Sequence, residues 1–150
     1  MVNELTVLTT IHVLAAACWV GGAYVLNIAM ALAGMQPEPG PKLAAFRLAN
    51  WLGLRFFLPV SLIVLASGAW LVEDYYDWDL LWVQLGVIGL ITVISIGLLY
   101  LGPRAGKAAD AIEGGAPPPP PGTRNWVPIV GRLNTLLITA VLVVMVIKPT

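Results

Sequence analysis

Residues 5–32 read LTVLTTIHVLAAACWVGGAYVLNIAMAL, an apolar run without a single formally charged side chain. The hydrocarbon core of a bilayer is about 30 Å thick, and a helix rises about 1.5 Å per residue, so about 20 apolar residues are enough to cross it. The run exceeds that length. We therefore predict that it forms a transmembrane helix.

The composition of the whole chain supports the same class. Of the 150 residues, 59% are hydrophobic and 11% are charged, whereas charged residues make up about a quarter of a typical soluble domain. The charges of the eight basic and eight acidic residues cancel, so the chain has no excess positive charge that would attract nucleic acid. The expected partners are the lipid bilayer and other membrane subunits or further copies of the chain.

Three more apolar segments follow, and we predict an all-α, up-down bundle of four transmembrane helices in one domain, residues 1–150. The four helices are expected at residues 5–32, 44–72, 80–104 and 125–148. A proline-rich loop over residues 114–123 joins the last two, and its run Pro117–Pro121 favours an extended polyproline spacer. No internal repeat is evident.

Pro59 is expected to kink the second helix. A proline has no backbone N–H, so it cannot donate to the carbonyl of Arg55, four residues earlier.

The distribution of charge predicts the orientation. The first and third connections hold the basic residues Lys42, Arg47, Arg104, Lys107 and Arg124. The second connection, EDYYDWD over residues 73–79, holds only acids. The positive-inside bias then places both termini on the outer side of a bacterial-type cytoplasmic membrane.

His12, the only histidine of the chain, is the first candidate for function. Ionisable side chains within a membrane are costly, so they usually face other helices or a cavity. Trp19 lies seven residues further on and shares the face of His12, and Gln84 enters the membrane at a similar depth. Three interpretations stay open: a structural histidine bonded to Gln84, a ligand of haem b or copper, and a proton relay.

Arg55 and Arg132 form a second candidate site, for an anion or a lipid. Each lies some turns inside its helix. Their side chains either bend back to the lipid headgroups or bind an oxyanion such as a phosphate or carboxylate bidentately. Separately, Gly21 and Gly22 are expected to let a neighbouring helix approach closely.

Four short motifs resemble the CopD-like membrane proteins and, more distantly, the HemJ group. They are IHVLAAACWVGG (residues 11–22), RFFLP (55–59), ASGAW (66–70) and LGPR (101–104). The resemblance implies that His12 is a ligand position, with Trp19 and the following glycines as its packing frame. It also implies an association with copper uptake or with haem-linked oxidation.

Together these features predict a small multi-pass membrane protein without catalytic activity of its own. We expect a haem- or metal-binding or accessory subunit beside a membrane redox complex. The alternatives are a component of a copper or small-solute transporter and a purely structural or assembly subunit.

Overall fold

The computed structural model describes residues 3–117 and 126–148, and these residues form helices joined by short connections. The first long helix is α1 (Glu4–Gly34), and the last is α6 (Trp126–Ile147). The second long helix consists of α2 (Pro39–Leu52), a π-helical segment (Gly53–Phe57) and α3 (Leu58–Tyr75). The third consists of α4 (Leu81–Ser95), a π-helical segment (Ile96–Leu101) and α5 (Gly102–Glu113). All four are long and apolar enough to cross a membrane, which confirms the predicted fold class.

The boundaries of the second and third helices differ from the expected ones because of two prolines. The second helix begins at Pro39 rather than near residue 44, and the third continues beyond Pro103 to Glu113. Pro39 lies in the first turn of its helix, where a missing N–H loses no intrahelical hydrogen bond. Pro103 directly follows a π-helical segment, whose shifted hydrogen-bond register lets the helix continue through it. Residues 118–123 of the proline-rich loop, and residues 124–125 after it, lie outside the described part of the chain.

Each of the two middle helices is interrupted by a π-helical segment with the same local sequence pattern. Gly53-Leu-Arg-Phe-Phe-Leu-Pro59 and Gly97-Leu-Leu-Tyr-Leu-Gly-Pro103 both place a proline six residues after a glycine. At the end of each segment, the N–H of the residue before the proline donates to the carbonyl of that glycine, five residues earlier. A π-helical turn therefore stands where we expected a kink at Pro59, and the two segments are a local repeat that the sequence analysis overlooked.

The helices pack pairwise around the bundle. Helix α1 lies along α3, α4 along α6, and α2 along α5, while α1 also contacts α2 and α6. We call the end where α1 begins and α6 ends the terminal end, and the opposite end, where α1 ends and α6 begins, the loop end. The side of the membrane that each end faces stays a prediction.

A cluster of buried side chains joins the four long helices at mid-height. It contains Trp19, Val64, Leu90, Val93 and Ile138. Many large apolar side chains point away from it and are exposed. An apolar outer surface is what a bundle surrounded by lipid requires, because lipid tails are as apolar as leucine.

Glycines allow the closest helix contacts. A Cβ built at Gly89 would overlap Val141 Cγ2, and one built at Gly86 would overlap Met145 Cε, so α4 and α6 approach closely there. A Cβ at Gly22 would lie 2.9 Å from Phe56 Cε1, whereas Gly21 faces open space. The close approach that we expected at both glycines of α1 therefore occurs at Gly22 only.

Candidate functional site

His12 is held against α3 by a serine. Its Nδ1 lies 3.0 Å from Ser67 Oγ, and Ser67 Oγ in turn lies 2.6 Å from the carbonyl oxygen of Ile63. Because the serine hydroxyl donates to that carbonyl, Ser67 accepts the N–H of His12 Nδ1. The Nε2 atom of His12 then keeps its lone pair and is available as an acceptor or a ligand.

Gly68 makes room for the imidazole ring. A Cβ built at this position would lie 3.0 Å from His12 Cε1, which is tighter than ordinary van der Waals contact. Ser67 and Gly68 belong to the motif ASGAW, so one of the short motifs that we singled out in the sequence lies beside His12.

The expected partner of His12, Gln84, lies elsewhere. Its side chain is exposed, and its Nε2 donates to the carbonyl oxygen of Trp78 at 3.3 Å. The pairing between His12 and Gln84 is therefore not formed. No periodicity in the sequence relates residue 12 to residue 67, so sequence reasoning had no signal for Ser67 as the partner.

The hydrogen bond predicts one tautomer of His12. In ¹⁵N spectra of histidine-labelled protein at alkaline pH, where imidazole is neutral, we expect the single histidine to be protonated on Nδ1. Ser67→Ala removes the acceptor and shifts the signal toward a mixture of tautomers, whereas Ser61→Ala, on the same helix, leaves it unchanged. A histidine protonated on Nε2 in the unmodified protein would contradict this assignment.

A cavity of about 980 Å³ occupies the loop-end half of the bundle. It lies between α1, α2, α5 and α6, and the core side chains Trp19, Val93 and Ile138 bound it toward the centre. Along α1 it extends from Trp19 to Gly34, about 22 Å at the helical rise. His12 is not among its lining residues. We refer to it as the loop-end cavity.

Two asparagines bring polar atoms to the wall of this cavity. Asn27 Nδ2 donates to the carbonyl of Ala23 at 3.0 Å and to Thr135 Oγ1 at 2.6 Å. Both amide hydrogens of Asn27 are thus used, and its oxygen remains as an acceptor. Asn134 Oδ1 is buried and has no hydrogen-bond partner, a situation that costs about 1–3 kcal/mol when nothing supplies a donor.

The charges that line the cavity are all positive. They are Lys42 on α2 and Arg132 on α6, and no aspartate or glutamate is among the lining residues. Over residues 3–117 and 126–148, the ion pairs are those of Arg47 with Asp110, at 3.0 Å, and with Glu113. Lys42 and Arg132 therefore have no carboxylate partner in the described chain.

Arg55 is not part of this cavity. It lies in a groove on the outer surface of the second helix, together with Arg47 and Asn50. Its guanidinium carbon lies 5.7 Å from the centre of the Trp51 ring. Arg55 and Arg132, which we expected to form one anion site, thus line two different places.

The described residues also contain potential metal ligands at scattered positions. They bring together no group of three or more histidine, cysteine, aspartate or glutamate side chains. Cys18 is exposed. Two of the acids near the α3–α4 connection, Asp74 and Glu73, accept hydrogen bonds from Trp70 and Trp78.

Comparisons with known proteins give the family but no characterised relative. The family model described as "Predicted integral membrane protein (DUF2269)" matches residues 6–149. No curated protein and no solved structure matches the chain.

Proposed function

The chain belongs to this family of integral membrane proteins, and from that premise we propose that it binds an amphipathic small molecule inside the loop-end cavity. The observation that carries the proposal is the cavity itself. Pockets for small molecules and cofactors have volumes of about 300–1,000 Å³, mostly apolar walls and a few polar groups that fix the orientation of the ligand. The loop-end cavity has these properties.

The polar and apolar parts of the wall suit different parts of such a molecule. Trp19, Val93 and Ile138 offer an apolar inner wall to a hydrocarbon body. Asn27 Oδ1, whose amide nitrogen is already engaged, offers an acceptor to a hydroxyl or N–H of the molecule.

Binding in this cavity is compatible with two of the roles that we predicted. A small-solute carrier and a ligand-binding subunit of a membrane redox complex both hold a molecule, whereas a purely structural subunit need not. A binding experiment therefore separates the structural role from the other two.

The test uses the full chain in phosphatidylcholine nanodiscs and two fluorescent amphiphiles, dansylaminoundecanoate and its uncharged carboxamide. Ala23→Trp and Ala49→Trp place an indole at the cavity wall. Ala17→Trp and Ala44→Trp place the same indole on exposed positions of the same two helices, outside the cavity. All four variants are compared with unmodified protein and with empty nanodiscs.

We expect saturable binding of at least one probe above its partition into empty nanodiscs. The two cavity variants should weaken it by about tenfold or more, since an indole replaces the space for the hydrocarbon body, and the two surface variants should not. The proposal is overturned if neither probe shows a saturable component, or if cavity and surface variants behave alike.

A second candidate function concerns His12, which the CopD-like resemblance implies to be a ligand position. The observation in its favour is the hydrogen bond to Ser67, which leaves Nε2 free. A neutral imidazole oriented through its other nitrogen is a common ligand for haem iron and for copper. One such nitrogen could serve as one ligand of haem iron. A copper site needs further donors, and the described residues bring together no group of three or more histidine, cysteine, aspartate or glutamate side chains.

An absorption spectrum tests this second candidate. Protein purified in mild detergent after expression with added haem precursor should show a Soret band, and His12→Ala should abolish the band. Cys18→Ala, on the same helix, should leave it intact. A colourless protein, or a band that survives in His12→Ala, would rule out this role.

A further inference from the structure

We infer that the molecule in the loop-end cavity carries an anionic head group, a carboxylate or a phosphate, which Arg132 and Lys42 bind. This inference rests on the proposed function and names the chemical class of its ligand. It starts from the charges of the wall, where two cations stand without any lining carboxylate.

Arg132 is an exposed residue of an otherwise uncharged membrane-spanning helix. It lies six residues after the start of α6, about 9 Å along the helix axis, and no other formally charged residue occurs in α6. Charged side chains in such segments usually pair with a partner or line a pathway. Over the described residues, no carboxylate lies within ion-pairing distance of Arg132.

Two of the acids near the loop end are already engaged, while Glu38, at the N-cap of α2, forms no ion pair in the described chain and does not line the cavity. Asp110 and Glu113 on α5 both pair with Arg47, which fastens α5 to α2. Lys42, one turn before Arg47 on α2, forms no ion pair in the described chain and lines the cavity. Arg47 is thus neutralised internally, and of the cations without an ion pair in the described chain, Lys42 and Arg132 are the two that line the cavity.

The geometry of the two cation types suits an oxyanion. A guanidinium can donate two parallel N–H bonds to a carboxylate or phosphate, and a lysine ammonium adds a point charge. The hydrocarbon body of the molecule would then extend toward Trp19, deeper in the bundle. Both parts of an anionic single-chain lipid are therefore accommodated.

The test compares the anionic and the uncharged dansyl amphiphile on Arg132→Gln, Lys42→Gln and Arg55→Gln. Arg55 is the matched control, because it lies in a membrane-embedded helix but outside the cavity. We expect Arg132→Gln to weaken binding of the anionic probe by about tenfold, the loss typical of one hydrogen bond to a charged group. Lys42→Gln should weaken it less, and Arg55→Gln should leave it unchanged.

The uncharged carboxamide and inorganic phosphate distinguish the possible outcomes. The carboxamide should bind more weakly than the acid and should respond to none of the three variants, which also shows that they remain folded. Added phosphate should not displace dansylaminoundecanoate, because the free anion lacks the hydrocarbon body. Displacement by phosphate would indicate a site for small anions and would overturn the inference of a lipid.

Equal binding of both probes, unaffected by Arg132→Gln, would overturn the inference of an anionic head group and leave the proposed function standing. Failure of both probes to bind would remove both proposals.

Discussion

Gly89→Leu is expected to lower the free energy of unfolding by about 3 kcal/mol. The reason is the contact between α4 and α6, where a Cβ at residue 89 would overlap Val141 Cγ2. Valine is branched at Cβ and strongly prefers one rotamer in a helix, so it cannot turn away, and the helices must separate. Overpacking of this kind costs about 1–3 kcal/mol, and small residues are what allow membrane helices to approach closely. Unfolding in mixed detergent micelles, followed by tryptophan fluorescence, measures the change.

Two other glycines serve as controls for this prediction. Gly21→Leu adds the same side chain where nothing lies within 4 Å, and it should be nearly neutral. Gly86→Ala meets only the flexible end of Met145, which can move, so its effect should lie between the two. If Gly21→Leu is as destabilising as Gly89→Leu, the cost arises within a single helix and not from the packing of α4 against α6.

The four long helices were predictable from the sequence because each depends on local composition. Predominantly apolar runs of about 20 residues or more have one stable conformation in a bilayer, namely a helix whose backbone hydrogen bonds are all internal. The boundaries were less predictable, since Pro39 begins a helix and the third helix continues through Pro103, although a proline also ends many helices. Composition does not distinguish these two uses of a proline.

The π-helical segments illustrate a signal that was present but not recognised. Glycine followed by proline six residues later occurs within apolar helices at Gly53–Pro59 and Gly97–Pro103, and outside them it also follows Gly114, Gly115 and Gly122, so the spacing is informative only within an apolar helix. Both helical stretches line the loop-end cavity in part. A proline that lacks its donor displaces the hydrogen-bond register of the preceding turn. We expected Pro59 to disturb its helix because a proline lacks the backbone N–H, and the same reasoning applies to Pro103.

The candidate sites depended on contacts between residues far apart in the chain, and the sequence was informative only where one residue stood out. His12 drew attention as a lone histidine, yet its partner Ser67 is an ordinary small residue 55 positions away. The cavity arises where small side chains of several helices meet. The significance of its two cations depends on the absence of aspartate and glutamate among the residues that line it. Such features depend on distances between residues that are far apart in the sequence, and the periodicity of the sequence gives no information about these distances.

Trp19→Ala is expected to have the largest effect on stability among single substitutions in the bundle, about 3–5 kcal/mol. Trp19 is 6% exposed and lies in the mid-height core with Val64, Leu90, Val93 and Ile138. Removal of an indole from this cluster deletes many van der Waals contacts at once, and such contacts drive helix association within a membrane. Trp51→Ala, where the indole is 50% exposed, is the matched control and should change the free energy of unfolding by less than about 1 kcal/mol.

The same substitution has a second consequence, because Trp19 also lines the loop-end cavity. Its loss would enlarge the cavity toward the terminal end and admit a longer hydrocarbon chain. In nanodiscs we therefore expect Trp19→Ala to shift the preference among dansyl-labelled carboxylates toward longer chains, while Trp19→Phe shifts both stability and chain-length preference less. A protein that keeps its stability and its preference after Trp19→Ala would show that this side chain is neither the centre of the core nor the inner wall of the cavity.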